Sequence, residues 1–241
     1  MSFLKLGFSA KDAAKAAERK NVTIIIDVLR CSSTIISLLA KGAKEIFIAK
    51  SIKEAKTLHF KLKNSILAGE RHGIKPKGFD FGNSPLEFTE ENVKGKSVIL
   101  TTTSGAKAIY VAKNSALTLI GAFLNVKFVS EAAFKKAKEK TVALIASGKK
   151  YEFSLEDFIC CGAIASELIN LGINEFDDGV KAAVLAWENA KHNLKETIKN
   201  GNHAKYLIQK GFEKDVEFCS TINTLNIVPI YKDGAIRKLD F

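Results

Sequence analysis

Residues 22–34 read Val22-Thr23-Ile24-Ile25-Ile26-Asp27-Val28-Leu29-Arg30-Cys31-Ser32-Ser33-Thr34 (VTIIIDVLRCSST). The first five are a continuous β-branched run, and an unbroken apolar run of that length predicts a strand covered on both faces. A carboxylate ends it. Three hydroxyl side chains then open an apolar helix through Leu39, with Gly42 past its end.

The same alternation continues outward. Strands are predicted at Glu45–Ala49, Ser65–Ala68, Ser97–Thr101, Leu117–Ile120 and Thr141–Ala146. Helices are predicted at Ser9–Lys20, Ser51–Lys63, Ala106–Lys113, Val129–Lys138 and Asp157–Leu171. Buried strands alternating with helices indicate an α/β fold with a largely parallel sheet flanked by helices. Aligned by element, Asp27 falls opposite Thr101 and Ala68-Gly69 opposite Ala146-Ser147, an offset of roughly 72–78 residues. The chain therefore reads as one α/β domain over residues 1–241. Two intertwined half-repeats are expected, about 22–95 and 96–170, followed by a helical and C-terminal segment, 171–241. Glu175–Gly179 is a polar break, further helices run to Lys210, and the Lys232-Asp233-Gly234 turn lies near the end.

Of 37 basic side chains, only Arg19, Arg30, Arg71 and Arg237 are arginines, against 26 acidic residues and a net charge of +11. The lysines are spread along the chain, with no basic cluster interleaved with aromatics, so the charge predicts no nucleic-acid partner. Arg30 and Arg71 each follow an apolar strand, where a guanidinium suits bidentate contact with an oxyanion. No run is long enough to span a membrane, and Ser9–Lys20 is charged and alanine-rich, unlike a signal peptide. A cytoplasmic protein without a membrane partner is expected. Cys31, Cys160, Cys161 and Cys219 have no metal-ligand spacing and read as buried free thiols.

In open parallel sheets, ligands sit over the carboxyl ends of strands. The polar clusters Asp27–Thr34, Glu70–Ser84, Thr101–Gly105 and Ser147–Asp157 all fall there. Hydroxyls ahead of a helix are ordinarily N-caps, but they also offer an anion hydroxyls and free N–H groups. Asp27, Glu70, Asp80, Glu156 and Asp157 could hold a hard cation such as Mg²⁺, which keeps waters and bridges to phosphate oxygens. Together these clusters suggest phosphate-ester chemistry.

Known phosphoryl-transfer signatures are mostly missing. There is no P-loop, no Asp-x-Asp and no Cys-x5-Arg. Arg71-His72-Gly73 matches the short histidine-phosphatase signature, but those enzymes carry it on their first strand.

The motifs Ile26-Asp27-Val28-Leu29-Arg30 with Ser33-Thr34, Leu67–Arg71, Gly78–Pro85 and Thr101-Thr102-Thr103-x-Gly105 occur in order. Leu124-Asn125, Leu155-Glu156-Asp157, Asp178-Gly179 and Val228-Pro229 follow. In these, from about residue 22 to 231, the chain resembles the 2-phosphosulfolactate phosphatase family. The resemblance implies Mg²⁺-dependent hydrolysis of a small anionic phosphorylated hydroxy acid, a step toward coenzyme M. Its substrate carries phosphate, carboxylate and sulfonate, which two arginines and two hydroxyl sites would suit. On this reading Asp27, Glu70, Asp80 and Glu156 lie near the metal, and Asp157 orients water or completes the shell. Arg30 and Arg71 bind anionic groups. Ser33, Thr34, Thr102 and Thr103 cradle oxygens beside Gly105, and Asn83 and Ser84 fix their loop or touch substrate. Ser104 and Ala106 replace an Asn and a Thr of the family's run, which points to a shifted substrate or to a non-catalytic anion binder. A homodimer is one assembly open to such a chain.

Overall fold

The structure, a computed structural model, describes residues 2–147 and 152–240. Its ten strands form one sheet in the order β4-β5-β3-β10-β9-β6-β2-β7-β1-β8. They are β1 (Phe3–Gly7), β2 (Val22–Ile26), β3 (Glu45–Ile48), β4 (Ser65–Gly69), β5 (Ser97–Thr101), β6 (Leu117–Gly121), β7 (Val142–Ala146), β8 (Glu175–Phe176), β9 (Pro229–Lys232) and β10 (Ala235–Lys238). The helices are α1 (Ala10–Glu18), α2 (Cys31–Ala40), α3 (Ile52–Lys61), α4 (Glu90–Val93), α5 (Gly105–Val111), α6 (Val126–Ala137), α7 (Leu155–Asn170), α8 (Asp178–Ala190), α9 (Leu194–Lys199), α10 (Asn202–Gln209) and α11 (Glu213–Cys219).

The opening run behaves as its composition predicts. β2 is central, parallel to β6 on one side and β7 on the other. Its successive side chains alternate between two cores. Ile24 and Ile26 pack with Leu144, Val129 and Ile164 on one face. Ile25 packs with Ile145, Ile35 and Ile109 on the other. Apolar layers cover both faces, and the strand's single polar side chain, Thr23, is satisfied by the Ser115 hydroxyl at 2.9 Å, so the alternation of a half-exposed strand is absent.

Two features differ from the sequence reading. Phe3–Gly7 forms a strand parallel to β7 and β8. The C-terminal residues form an antiparallel hairpin in mid-sheet, with β9 on β6 and β10 on β3. In the sheet, β5 lies between β3 and β4, and β2 between β6 and β7. Among the described residues no helix is long and apolar enough to cross a membrane. All four cysteines are buried free thiols, and burial raises the pKa of each.

Candidate active site

The carboxyl ends of β2, β4 and β5 open into a cavity of about 340 Å³, closed on the far side by α7 and α10. Asp27 stands at its floor. Burial drives its carboxyl up to about 7, and the nearby charges of Glu70 and Glu156 add to the effect. The N–H groups of Cys31 and Gly105 oppose that rise by donating to it, the former at 3.2 Å. Gly105 is required at this point. A Cβ there would lie 2.5 Å from Asp27 Oδ2 and 2.7 Å from Cys31 Cβ.

Glu70 joins two loops. Its Oε1 accepts from the Thr103 N–H at 2.7 Å and the Thr103 hydroxyl at 2.9 Å, and its Oε2 accepts from the Gly73 N–H at 2.8 Å. The chain reaches this geometry through Gly69, at φ +149°, where a Cβ would lie 2.2 Å from the Thr101 carbonyl oxygen. Glu156 and Asp157 enter from the first turn of α7, capped by Ser154. Asp157 Oδ1 accepts from the Val28 N–H at 2.7 Å, tying α7 to the loop after β2. The polar cluster that begins at Ser147 includes residues 148–151, which lie outside the described residues.

Arg30 lines the cavity but is already held. Its Nη1 donates to Asp215 Oδ2 at 2.7 Å, its Nη2 to the Gly73 carbonyl at 2.9 Å, and its guanidinium lies 4.1 Å from the centre of the Phe212 ring. Asp215 also accepts from the Ser84 hydroxyl at 2.6 Å. A buried guanidinium needs such a counter-charge.

The structure brings Asp27, Arg30, Glu70, Asn83, Thr102, Thr103, Glu156 and Asp157 together on the cavity wall and leaves others elsewhere. Asp80 is a correction. The loop after β4 doubles back, so Asp80 lies level with Leu67, exposed, and Oδ2 accepts the Leu67 N–H at 2.8 Å. It lies outside the cavity lining. Arg71 is outside the cavity lining and donates to the Glu70 carbonyl and the Thr101 hydroxyl. Ser33 and Thr34 are buried and donate to the Val28 and Asn83 carbonyls, so their hydroxyls brace the fold instead of cradling an anion. Ser84 is likewise occupied by Asp215. The Thr102 hydroxyl accepts from the Ala106 N–H at 3.0 Å, capping α5. Gly105 makes room for Asp27, and its N–H donates to that carboxylate. Ser104 lines the cavity, whereas Ala106 is core. His72, although exposed, does line the cavity, and its carbonyl accepts from the Tyr206 hydroxyl at 2.8 Å.

Sequence reasoning missed His203, Tyr206 and Leu207, which line the cavity from α10, and Asp215 behind Arg30. The signal was present, since spacing of three and four puts His203, Tyr206 and Leu207 on one helix face. Among the described residues, the buried side-chain polar atoms without a partner are Asn83 Oδ1 and His203 Nδ1, and both residues line this cavity.

Residues 8–234 match the family described as 2-phosphosulpholactate phosphatase. A probable 2-phosphosulfolactate phosphatase of Thermotoga petrophila is 39% identical over 218 residues, 90% of this chain and 92% of the relative. Probable 2-phosphosulfolactate phosphatases of Carboxydothermus hydrogenoformans and Caldanaerobacter subterraneus subsp. tengcongensis are 41% and 36% identical. They cover 89% and 91% of this chain, and 87% and 91% of their own lengths. The chain belongs to the 2-phosphosulfolactate phosphatase family and is thus a phosphoric monoester hydrolase.

Proposed function

We propose that this family member hydrolyses 2-phosphosulfolactate to sulfolactate and phosphate with Mg²⁺, the type of step that leads toward coenzyme M. The observation that carries the metal reading is that Asp27, Glu70 and Glu156 share one cavity, where burial first, and then the charges of Glu70 and Glu156, raise the Asp27 carboxyl to about 7. Carboxylates in that relation call for a cation, all the more when the ligand is itself an anion.

Among the described residues no three His, Cys, Asp or Glu side chains close into a cage. Mg²⁺ does not require one, because it takes one or two carboxylates and completes its shell with water and phosphate oxygens. Glu70 is engaged on both oxygens by N–H donors. Asp27 and Glu156, with the unpartnered Oδ1 of Asn83, are the hard oxygen donors that fit. When bound, Mg²⁺ neutralises charge and polarises a phosphoryl oxygen.

The chain's own residues do the rest in this reading. Glu70 fixes the Thr103 and Gly73 backbones, so the two loops present a constant wall. Arg30, oriented by Asp215 and Phe212, turns its remaining N–H capacity toward the anion. Asp157 takes the proton of the attacking water. Ser104 lies on the lining at a position where the chain departs from the family run, which favours a second reading, a phosphatase for another phosphorylated hydroxy acid.

Phosphate release from 2-phosphosulfolactate and a panel of phosphorylated hydroxy acids, with Mg²⁺ and with EDTA, tests both. Release that needs the metal and is fastest with 2-phosphosulfolactate supports the first reading. Faster release from another member supports the second, and no release from any overturns both.

A further inference from the structure

We infer that His203 is a catalytic residue that delivers a proton to the leaving alkoxide oxygen of the phosphomonoester. This rests on the phosphatase reading above and adds the group that reading leaves unnamed. His203 Nε2 lies 2.9 Å from the Leu29 carbonyl oxygen, which can only accept, so Nε2 carries a hydrogen. That bond survives in the neutral ring and in the imidazolium alike. The ring is therefore held in one orientation while its other nitrogen, Nδ1, gains and loses a proton. Nδ1 is buried without a protein partner in a residue that lines the cavity. The Tyr206 ring stacks against the imidazole at 6.0 Å and 15°, fixing its plane.

The chemistry requires such a donor. When the bond between phosphorus and the bridging oxygen breaks, its electron pair stays on that oxygen. An alkoxide is a poor leaving group at neutral pH unless protonated as it departs. The attacking water forms the new P–O bond and gives up one proton to a cavity carboxylate. The Nδ1 proton goes to the alkoxide, leaving alcohol, phosphate and neutral His203. Proton exchange with solvent restores both groups.

The groups facing His203 from neighbouring elements do not offer an alternative. Asp27 from the loop after β2 and Glu156 from α7 hold the cation in this reading, and Asp157 accepts the water's proton. Arg30 is permanently protonated and cannot give a proton away. Glu70 is engaged by N–H donors, and the Tyr206 hydroxyl donates to the His72 carbonyl. His72 also lines the cavity, but among the described residues its exposed ring has no hydrogen bond to orient it as the Leu29 carbonyl orients His203.

The test is a pH profile of kcat for 2-phosphosulfolactate with saturating Mg²⁺, in the intact protein and in His203→Gln. The glutamine amide can still donate to the Leu29 carbonyl. The wild type should lose kcat on the alkaline side as the imidazolium deprotonates. His203→Gln should lose that limb and show kcat lowered about a hundredfold or more, with KM changed less than about threefold. An alkaline limb retained in the variant, a wild type without one, or an undiminished kcat overturns the inference. If the glutamine variant does not fold, His203→Asn is profiled instead. A wild type that hydrolyses no alkyl phosphomonoester fails the phosphatase reading itself, and the inference falls with it.

Discussion

Replacing Asp27 by Asn should make the metal-free protein more stable at pH 8 while removing its activity. The Asp27 carboxyl titrates at 3.8 when unhindered and at about 7 in the fold. Because the folded value is the higher, the stability linked to this group is fully present below about pH 4 and is lost as pH rises through 7. At about 1.36 kcal/mol per tenfold change in proton affinity, keeping the carboxylate ionised above pH 7 costs on the order of 4 kcal/mol. At pH 5 the cost is below about 2 kcal/mol. Asparagine removes the charge, and its Oδ1 can still accept from the Cys31 N–H. Its amide NH₂ then faces the Gly105 N–H, forfeiting one hydrogen bond at about 1–3 kcal/mol. The net expectation is a gain of about 1–3 kcal/mol at pH 8 and little or none at pH 5. Urea denaturation in EDTA at both pH values reads this directly. A D27N offset that is the same at both pH values, or more unfavourable at pH 8, would refute the electrostatic account of the site.

Asp215→Ala should destabilise the protein by about 3–5 kcal/mol, because Arg30 is left buried and uncompensated; a double Arg30→Met, Asp215→Leu variant should recover much of that in urea melts but not its kcat. Asp80→Asn should leave kcat and the Mg²⁺ half-saturation within about twofold of wild type, since Asp80 is exposed and bound to Leu67; a large rise in that half-saturation would return Asp80 to the metal set. Ser33→Ala should cost about 1 kcal/mol in thermal unfolding with KM unchanged, as expected of a hydroxyl that donates to the Val28 carbonyl. Gly105→Ala should lower kcat at least about tenfold, because the added Cβ displaces Asp27 or Cys31; full activity would mean the loop yields freely.

The parallel core was legible because β2, β5, β6 and β7 are short, apolar and buried on both faces, so composition alone marks them. Phe3–Gly7 was harder, since Lys5 interrupts it and its strand character comes from pairing with β7. The hairpin at Pro229–Lys238 begins with a proline and carries four charged residues, and only the gap between β6 and β3 makes it a mid-sheet element. In the site, Asp27, Glu70 and Thr102 stand at or next to strand ends and line the cavity, a position that the strand pattern makes legible. Errors came where a loop reversed or a hydroxyl turned inward, as at Asp80, Ser33 and Thr34. Those directions depend on backbone φ and on hydrogen bonds made far along the chain, such as Thr34 to the Asn83 carbonyl.

The arginines show why charge type alone misleads at such a site. Arg30 was expected to meet the anion directly, yet the strongest partner within reach is Asp215, 185 residues later. Pairing removes most of the guanidinium's net charge from the cavity. Arg71, turned toward the Glu70 carbonyl and Thr101, contributes none to its lining. The described walls therefore carry more carboxylate than cation, although the whole chain carries +11. An anionic substrate entering such walls is repelled unless something positive enters with it or resides there. That requirement joins the two readings made above, since a divalent cation at Asp27 and Glu156 offsets the carboxylates and a protonated His203 adds a second positive group. If both act, removing the metal should abolish binding as well as turnover. Losing His203 should spare binding and slow only the step in which the alkoxide departs.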